Sequence, residues 1–132
     1  MAYLLDTNML SDLVRHPGGR VAVRVEEAGD GNVSTSIIVA AEVRFGVAKR
    51  GSSKLLAQTE VILGGLAIHP FAAPADRIYG AIRADLERRG VPIGANDILI
   101  AAHALALGCI LVTDNVREFS RIDGLAVENW LR

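Results

Sequence analysis

The sequence predicts an α/β fold, a three-layer α/β/α sandwich around a mostly parallel sheet. Three observations carry this expectation. Five short, largely apolar runs are separated by longer stretches with apolar residues at helical spacing. Glycine, proline, asparagine and aspartate gather at the boundaries between them. Strands that alternate with helices form right-handed crossovers, which bury a parallel sheet between two helical layers.

The elements follow in order. Ala2 to Leu5 reads as a buried strand, and Asp6-Thr7-Asn8 as the cap of a short helix running to Arg15. Pro17-Gly18-Gly19 breaks that helix. Arg20 to Ala28 carries Val21, Val25 and Ala28 on one helical face, and Gly29-Asp30-Gly31-Asn32 turns the chain into a second strand, Val33 to Thr35. Ser36 can cap a helix from Ile37 to about Arg50. Gly51-Ser52-Ser53 closes it and opens the next, Lys54 to about Leu63. Leu66 to His69 is the third strand, ended by Pro70. Ala75 to Arg89 spaces Ile78, Ile82 and Leu86 four apart and stops at Gly90. Asn96 is expected to cap a helix from Asp97 to Leu107, stopped by Gly108. Cys109 to Thr113 is a strongly apolar fourth strand, and Leu125 to Glu128 a fifth.

Length and composition narrow the function classes. A chain of 132 residues fits one domain, residues 1–132, with one core. Apolar residues at 51% and charged residues at 22% leave no long stretch for disorder. The lone Cys109 cannot form an internal disulfide and fits a reducing, cytoplasmic setting. No apolar run approaches the roughly 20 residues that span a bilayer. Met-Ala-Tyr-Leu-Leu-Asp at the start lacks the basic region of a signal peptide. The net charge is −1, but setting aside Asp6, Glu42, Asp97 and Asp114 leaves the rest at −1 + 4 = +3. Twelve of the fourteen bases are arginine, the side chain best shaped for phosphate. Candidate contacts to a nucleic-acid backbone are Arg15, Arg20, Arg44, Lys49 and Arg50.

The acids carry the chemistry. In an open parallel sheet the ligand sits beyond the carboxyl ends of the strands, so residues just after each strand matter most. Asp6 ends the first strand, as a metal ligand or as a helix cap. Asp97 opens the very apolar Ile98-Leu99-Ile100-Ala101-Ala102, where an unpaired carboxylate costs several kcal/mol unless a cation is near. Glu42 is the one acid of its helix and follows an apolar half-helix, with Gly46 four residues on to permit close approach. After the fourth strand, Thr113, Asp114, Asn115 or Glu118 completes the pocket, or forms a polar turn. Such acids repel without a cation, and oxygen-only donors select a hard one, Mg²⁺ or Mn²⁺.

Four segments together resemble the PIN-domain ribonucleases, and among them the VapC toxins of prokaryotic toxin–antitoxin modules. They are Leu4-Leu5-Asp6-Thr7-Asn8; Ser36 through Glu42 to Gly46; Ile93-Gly94-Ala95-Asn96-Asp97 with Ala101-Ala102-His103-Ala104; and Leu111-Val112-Thr113-Asp114-Asn115-Val116-Arg117-Glu118-Phe119. The tail from Ile122 to Trp130 is also similar to the end of that family. The resemblance implies a five-stranded parallel sheet, a homodimer and a cognate, VapB-like antitoxin. It implies RNA as substrate, transfer RNA favoured, and Asp6, Glu42 and Asp97 as the conserved acids. The family's fourth acid falls at Asn115, beside Asp114. On this reading Asp6, Asp97 and Glu42 hold metal, and Asp114 is a further catalytic candidate. Thr7, Thr113, Asn115 and Arg44 are candidates for substrate contact or for orienting the acids.

Other readings fit less well. An aspartate-based phosphatase of the haloacid-dehalogenase type wants a second aspartate where Asn8 stands, and a receiver domain wants an acceptor aspartate where His69-Pro70 stands. No glycine-rich nucleotide motif is present. A PIN-fold interaction module without catalysis is expected to have lost acids that this chain keeps. His103, about 120° around its helix from Asp97, reads as a hydrogen-bonded structural histidine, Cys109 as a small buried hydrophobe, and Trp130 as the pin of the tail.

Overall fold

A computed structural model of the chain describes residues 1–132. The elements are β1 (Tyr3–Leu5), α1 (Thr7–Arg15), α2 (Arg20–Ala28), β2 (Val33–Ser36), α3 (Ile37–Arg50), α4 (Ser53–Gly64), β3 (Ala67–His69), α5 (Ala75–Arg88), α6 (Ala95–Leu107), β4 (Ile110–Val112), α7 (Val116–Phe119) and β5 (Val127–Glu128). The five strands form one sheet in the order β3-β2-β1-β4-β5, and every neighbouring pair is parallel. The expected α/β/α sandwich is therefore present, and the sheet is wholly parallel.

The order reverses at β1. The chain leaves β1 for β2 and β3 on one side, then returns across it to β4 and β5 on the other. Helices α1 to α4 pack on one another and α5 packs on α6. Right-handed crossovers place these two groups on opposite faces of the sheet. Leu4, Leu5, Leu111 and Val112, all fully buried, lie at the centre of the core between them. The β1–β4 register sets Leu5 beside Val112, so Asp6 and Thr113 emerge together where the order reverses.

Strand β2 is polar, Val-Ser-Thr-Ser, yet wholly buried. It is tolerated because its hydroxyls find carbonyls on β1: Ser34 Oγ donates to Tyr3 O at 3.1 Å and Thr35 Oγ1 to Leu5 O at 2.9 Å. Ser36 caps α3 as expected, its Oγ accepting from Ile38 N at 3.0 Å. Gly51, at φ 67°, ends α3 in the left-handed conformation that suits glycine.

Three local expectations are corrected. Asn96 does not cap α6. The helix begins one residue earlier at Ala95, and Gly94 holds the cap position without a side-chain bond. A cap needs extended backbone, and Gly94 supplies it, which frees the Asn96 amide. The short helix α7 replaces part of the expected polar turn, since four residues are too few to show periodicity in the sequence. Cys109 is half-buried rather than buried, just outside β4. Trp130 does pin the tail: its ring is 2% exposed, lies 5.0 Å from Tyr3, and donates from Nε1 to Glu128 Oε1 at 3.0 Å.

Candidate active site

Asp6 is the centre of the site. It is only 6% exposed, directly after the central strand. The metal-ligand and helix-cap readings are not exclusive, because the carboxylate has two oxygens. Oδ1 accepts from Met9 N at 3.2 Å and caps α1, while Oδ2 accepts from Thr113 Oγ1 at 2.5 Å. Thr113 is itself fully buried and accepts from Asn115 N at 3.0 Å, so one hydroxyl joins the ends of β1 and β4 to the following loop. Burial lifts the Asp6 carboxyl from 3.8 to about 6, against the bonds from Thr113 and Met9, and the Asp97 charge adds to the rise.

Asp97 lies in the first turn of α6, half-buried. Its carboxyl is also raised, first by burial and then by the negative charges of Glu42 and Glu118. Glu42 projects from α3 and is held at both oxygens. Thr7 Oγ1 donates to Oε1 at 2.6 Å, and Asn96 Nδ2 donates to Oε2 at 3.4 Å. Glu118, on α7, accepts from Asn115 Nδ2 at 3.0 Å. Four acids from four separate segments thus act on one another in a single region: Asp97 on Asp6, and Glu42 and Glu118 on Asp97.

Asp114 and Arg44 are not brought to this cluster. Asp114 is exposed and accepts from Asn129 Nδ2 at 3.0 Å, facing the C-terminal tail. Of the residues left open after β4, Glu118 is the one whose charge reaches Asp97, and Asn115 orients it. Arg44 forms an ion pair with Glu60 on α4. Thr7 and Thr113, candidates for substrate or carboxylate contact, both have their hydroxyls on carboxylates. Asn96, expected as a cap, is instead the second support of Glu42, a role that sequence reasoning misses. Its position one residue before Asp97 is the only signal that could have suggested it.

The donor chemistry fits a hard divalent cation. All the converging groups are carboxylate oxygens, and two are destabilised as anions where they stand. No three acid, histidine or cysteine side chains close to a ready ligand cage; the carboxylates stand apart as like charges do. His103 lies elsewhere, beside β2 and β3. Its Nδ1 meets Ser36 Oγ at 2.7 Å, Phe71 stacks edge-on at 5.3 Å, and Nε2 is buried without a partner. Burial lowers its pKa, with the nearby His69 contributing, so it is a neutral structural histidine as read from the sequence.

Fold and site together define an α/β protein with a cluster of acids at the carboxyl edge of a parallel sheet, where the strand order reverses. The PIN domain family matches residues 3–125, and the chain belongs to that family. Along 98% of both chains it is 38% identical to ribonuclease VapC2 of Rickettsia felis. It is 33% identical, again over 98% of each, to the tRNA(fMet)-specific endonuclease VapC of Shigella flexneri. Its structure is similar, at a TM-score of 0.90 and 36% identity, to that of VapBC2 from Rickettsia felis bound to a DNA fragment from their promoter, covering 98% of this chain and 99% of the other. No helix is long and apolar enough to cross a membrane.

Proposed function

We propose that this chain is one nuclease domain, a Mg²⁺- or Mn²⁺-dependent endoribonuclease that acts in the cytoplasm as the toxin of a toxin–antitoxin pair. The observation that carries the reading is the set of mutually repelling acids around Asp6, a carboxyl buried at the carboxyl edge of β1 and β4. Similarity to the Rickettsia felis and Shigella flexneri ribonucleases supports RNA as the substrate, with transfer RNA favoured. Similarity to a VapBC structure supports a protein antitoxin as partner. The exposed apolar side chains Phe45, Leu56 and Val61 on α3 and α4 support association with a second copy.

In this mechanism Asp6 and Asp97 would hold the metal, with Glu42 and Glu118 completing the negative ring. When bound, the divalent ion supplies positive charge for the phosphoryl oxygens and lowers the pKa of water. Thr113 fixes Asp6 by donating to Oδ2, which leaves Oδ1 on the cap of α1. Thr7 and Asn96 fix Glu42 from both sides, as a group that orients the attacking water must be fixed. Asn115 holds Glu118 in the same way.

The test is single-turnover cleavage of a transfer RNA with and without EDTA, comparing the native chain with Asp6→Asn. Cleavage abolished by EDTA and by the substitution is expected. Undiminished cleavage by Asp6→Asn would refute the assignment.

A further inference from the structure

A second charged region lies against the acidic site and is of opposite sign. Glu42, Gly46 and Arg50 stand four apart on α3 and so share one stripe of the helix. A groove opens along this stripe, walled by Thr7, Ser11 and Arg15 of α1 and by Leu55 of α4. A side-chain carbon built on Gly46 would meet nothing within 4 Å, so the missing side chain leaves open space in the groove and serves no internal close approach. At its far end the groove meets a pocket lined by Arg15, Arg50, Ser52, Lys54 and Gln58.

Three cations from three helices surround that pocket. None of Arg15, Arg50 or Lys54 has an acidic partner, unlike Arg44, Arg83 and Arg89, which do. Arg15 and Arg50 sit in the last turns of α1 and α3, where the helix dipole alone would account for a base. Lys54 has no such account. It occupies the first turn of α4, where the dipole disfavours a cation and where no acid offsets it. A cluster that repels itself and opposes a helix N-terminus calls for an anion, as the carboxylate cluster calls for a cation.

We infer that the pocket of Arg15, Arg50 and Lys54 binds a backbone phosphate of the RNA, next to the scissile bond but not at it. The inference rests on the nuclease reading. Eight residues of α3 separate Arg50 from Glu42, roughly 12 Å along the helix. One phosphate cannot meet both, so the cations hold a neighbouring nucleotide while the acids act on the scissile one. The Gly46 gap lets the strand pass between them. A contact to phosphate carries no sequence information, so the pocket sets register and affinity.

The test measures RNA binding in EDTA, where cleavage is off, by fluorescence anisotropy over a range of salt. The probe is a single-stranded RNA of roughly 20 nucleotides, and the slope of log affinity against log salt falls by about 0.7 for each phosphate that is no longer neutralised. Arg50→Ala/Lys54→Ala empties a pocket that holds one phosphate and is expected to lower the slope by about 0.7 and to weaken binding. Arg77→Ala/Arg88→Ala, on exposed α5, removes the same charge elsewhere and should leave the slope as it is. Gly46→Leu, which improves helix propensity, is expected to bind RNA more weakly while folding at least as stably. With metal restored, Arg50→Ala/Lys54→Ala should lose more in cleavage of a long RNA than in cleavage of a dinucleotide, which is too short to reach the pocket. An unchanged slope in a chain that still cleaves RNA overturns the pocket alone. A native chain that neither binds nor cuts RNA overturns the nuclease reading with it. Loss of antitoxin affinity with RNA binding intact would assign the pocket to the protein partner and overturn the inference.

Discussion

Replacing Asp6 with asparagine should make the metal-free protein more stable while destroying its activity. The magnitude follows from the raised carboxyl. Its pKa stands at about 6 in the folded chain against 3.8 for the exposed group. A difference of roughly 2 units, at about 1.4 kcal/mol each, means that the ionised Asp6 costs the folded state about 3 kcal/mol. Asparagine keeps the shape and can still accept from Met9 N, but the Thr113 hydroxyl loses a charged acceptor, at a cost of about 1 kcal/mol. A net gain of about 2 kcal/mol remains. The sign fixes the pH dependence. Because the folded pKa is the higher one, the folded state keeps its proton where the unfolded chain has lost it. This contribution to stability is complete below 3.8 and is lost as pH rises through about 6. The advantage of the variant should therefore be full above pH 6 and should shrink between there and 3.8. Urea denaturation in EDTA at pH 7.5, 5 and 3.8, read by Trp130 fluorescence, measures it. A variant less stable than the native chain at pH 7.5, or a difference that ignores pH, would refute the reasoning. Added Mn²⁺ should stabilise the native chain and not the variant.

Other outcomes follow from the same geometry. Glu118→Gln should slow cleavage by about tenfold, while Asp114→Ala, whose carboxylate faces Asn129, should leave the rate within about twofold; parallel single-turnover assays decide which acid serves the site. Thr113→Val should slow cleavage by about 10- to 100-fold and raise the Asp6 carboxyl further, detectable by its NMR titration. His103 titrates with a lowered pKa, so the unfolded chain takes up a proton first and stability should fall as pH drops below 6.5. Thermal melts of the native chain and His103→Leu between pH 7.5 and 5 should show that the substitution removes part of that slope.

Much of this architecture is legible in the residues. The strands are short but bounded by glycine, proline and polar caps, and helix–strand alternation leaves few topologies. Asp6 and Asp97 can be picked out because each sits where an apolar run meets a helix start. Glu42 stands out as a lone charge on an apolar stretch. What cannot be read are the partners across space. Nothing local says that Thr7 and Asn96, 89 positions apart by their numbers, clamp the same glutamate. The choice between Asp114 and Glu118 is likewise hidden. It depends on which way a four-residue helix turns its side chains, and on Asn129 reaching back from the tail. Asn96 misleads because asparagine before a helix usually caps it. Here Gly94 takes that place.

The pairing of β1 with β4 has a consequence for the newly made chain. The first strand leaves the ribosome early, but its neighbour on one side is over 100 residues downstream. Until Thr113 has emerged, Asp6 lacks the hydroxyl that holds it, and the last acid, Glu118, comes later still. The acids of the site can therefore gather only after the chain through Glu118 is out of the ribosome, late relative to the first strand.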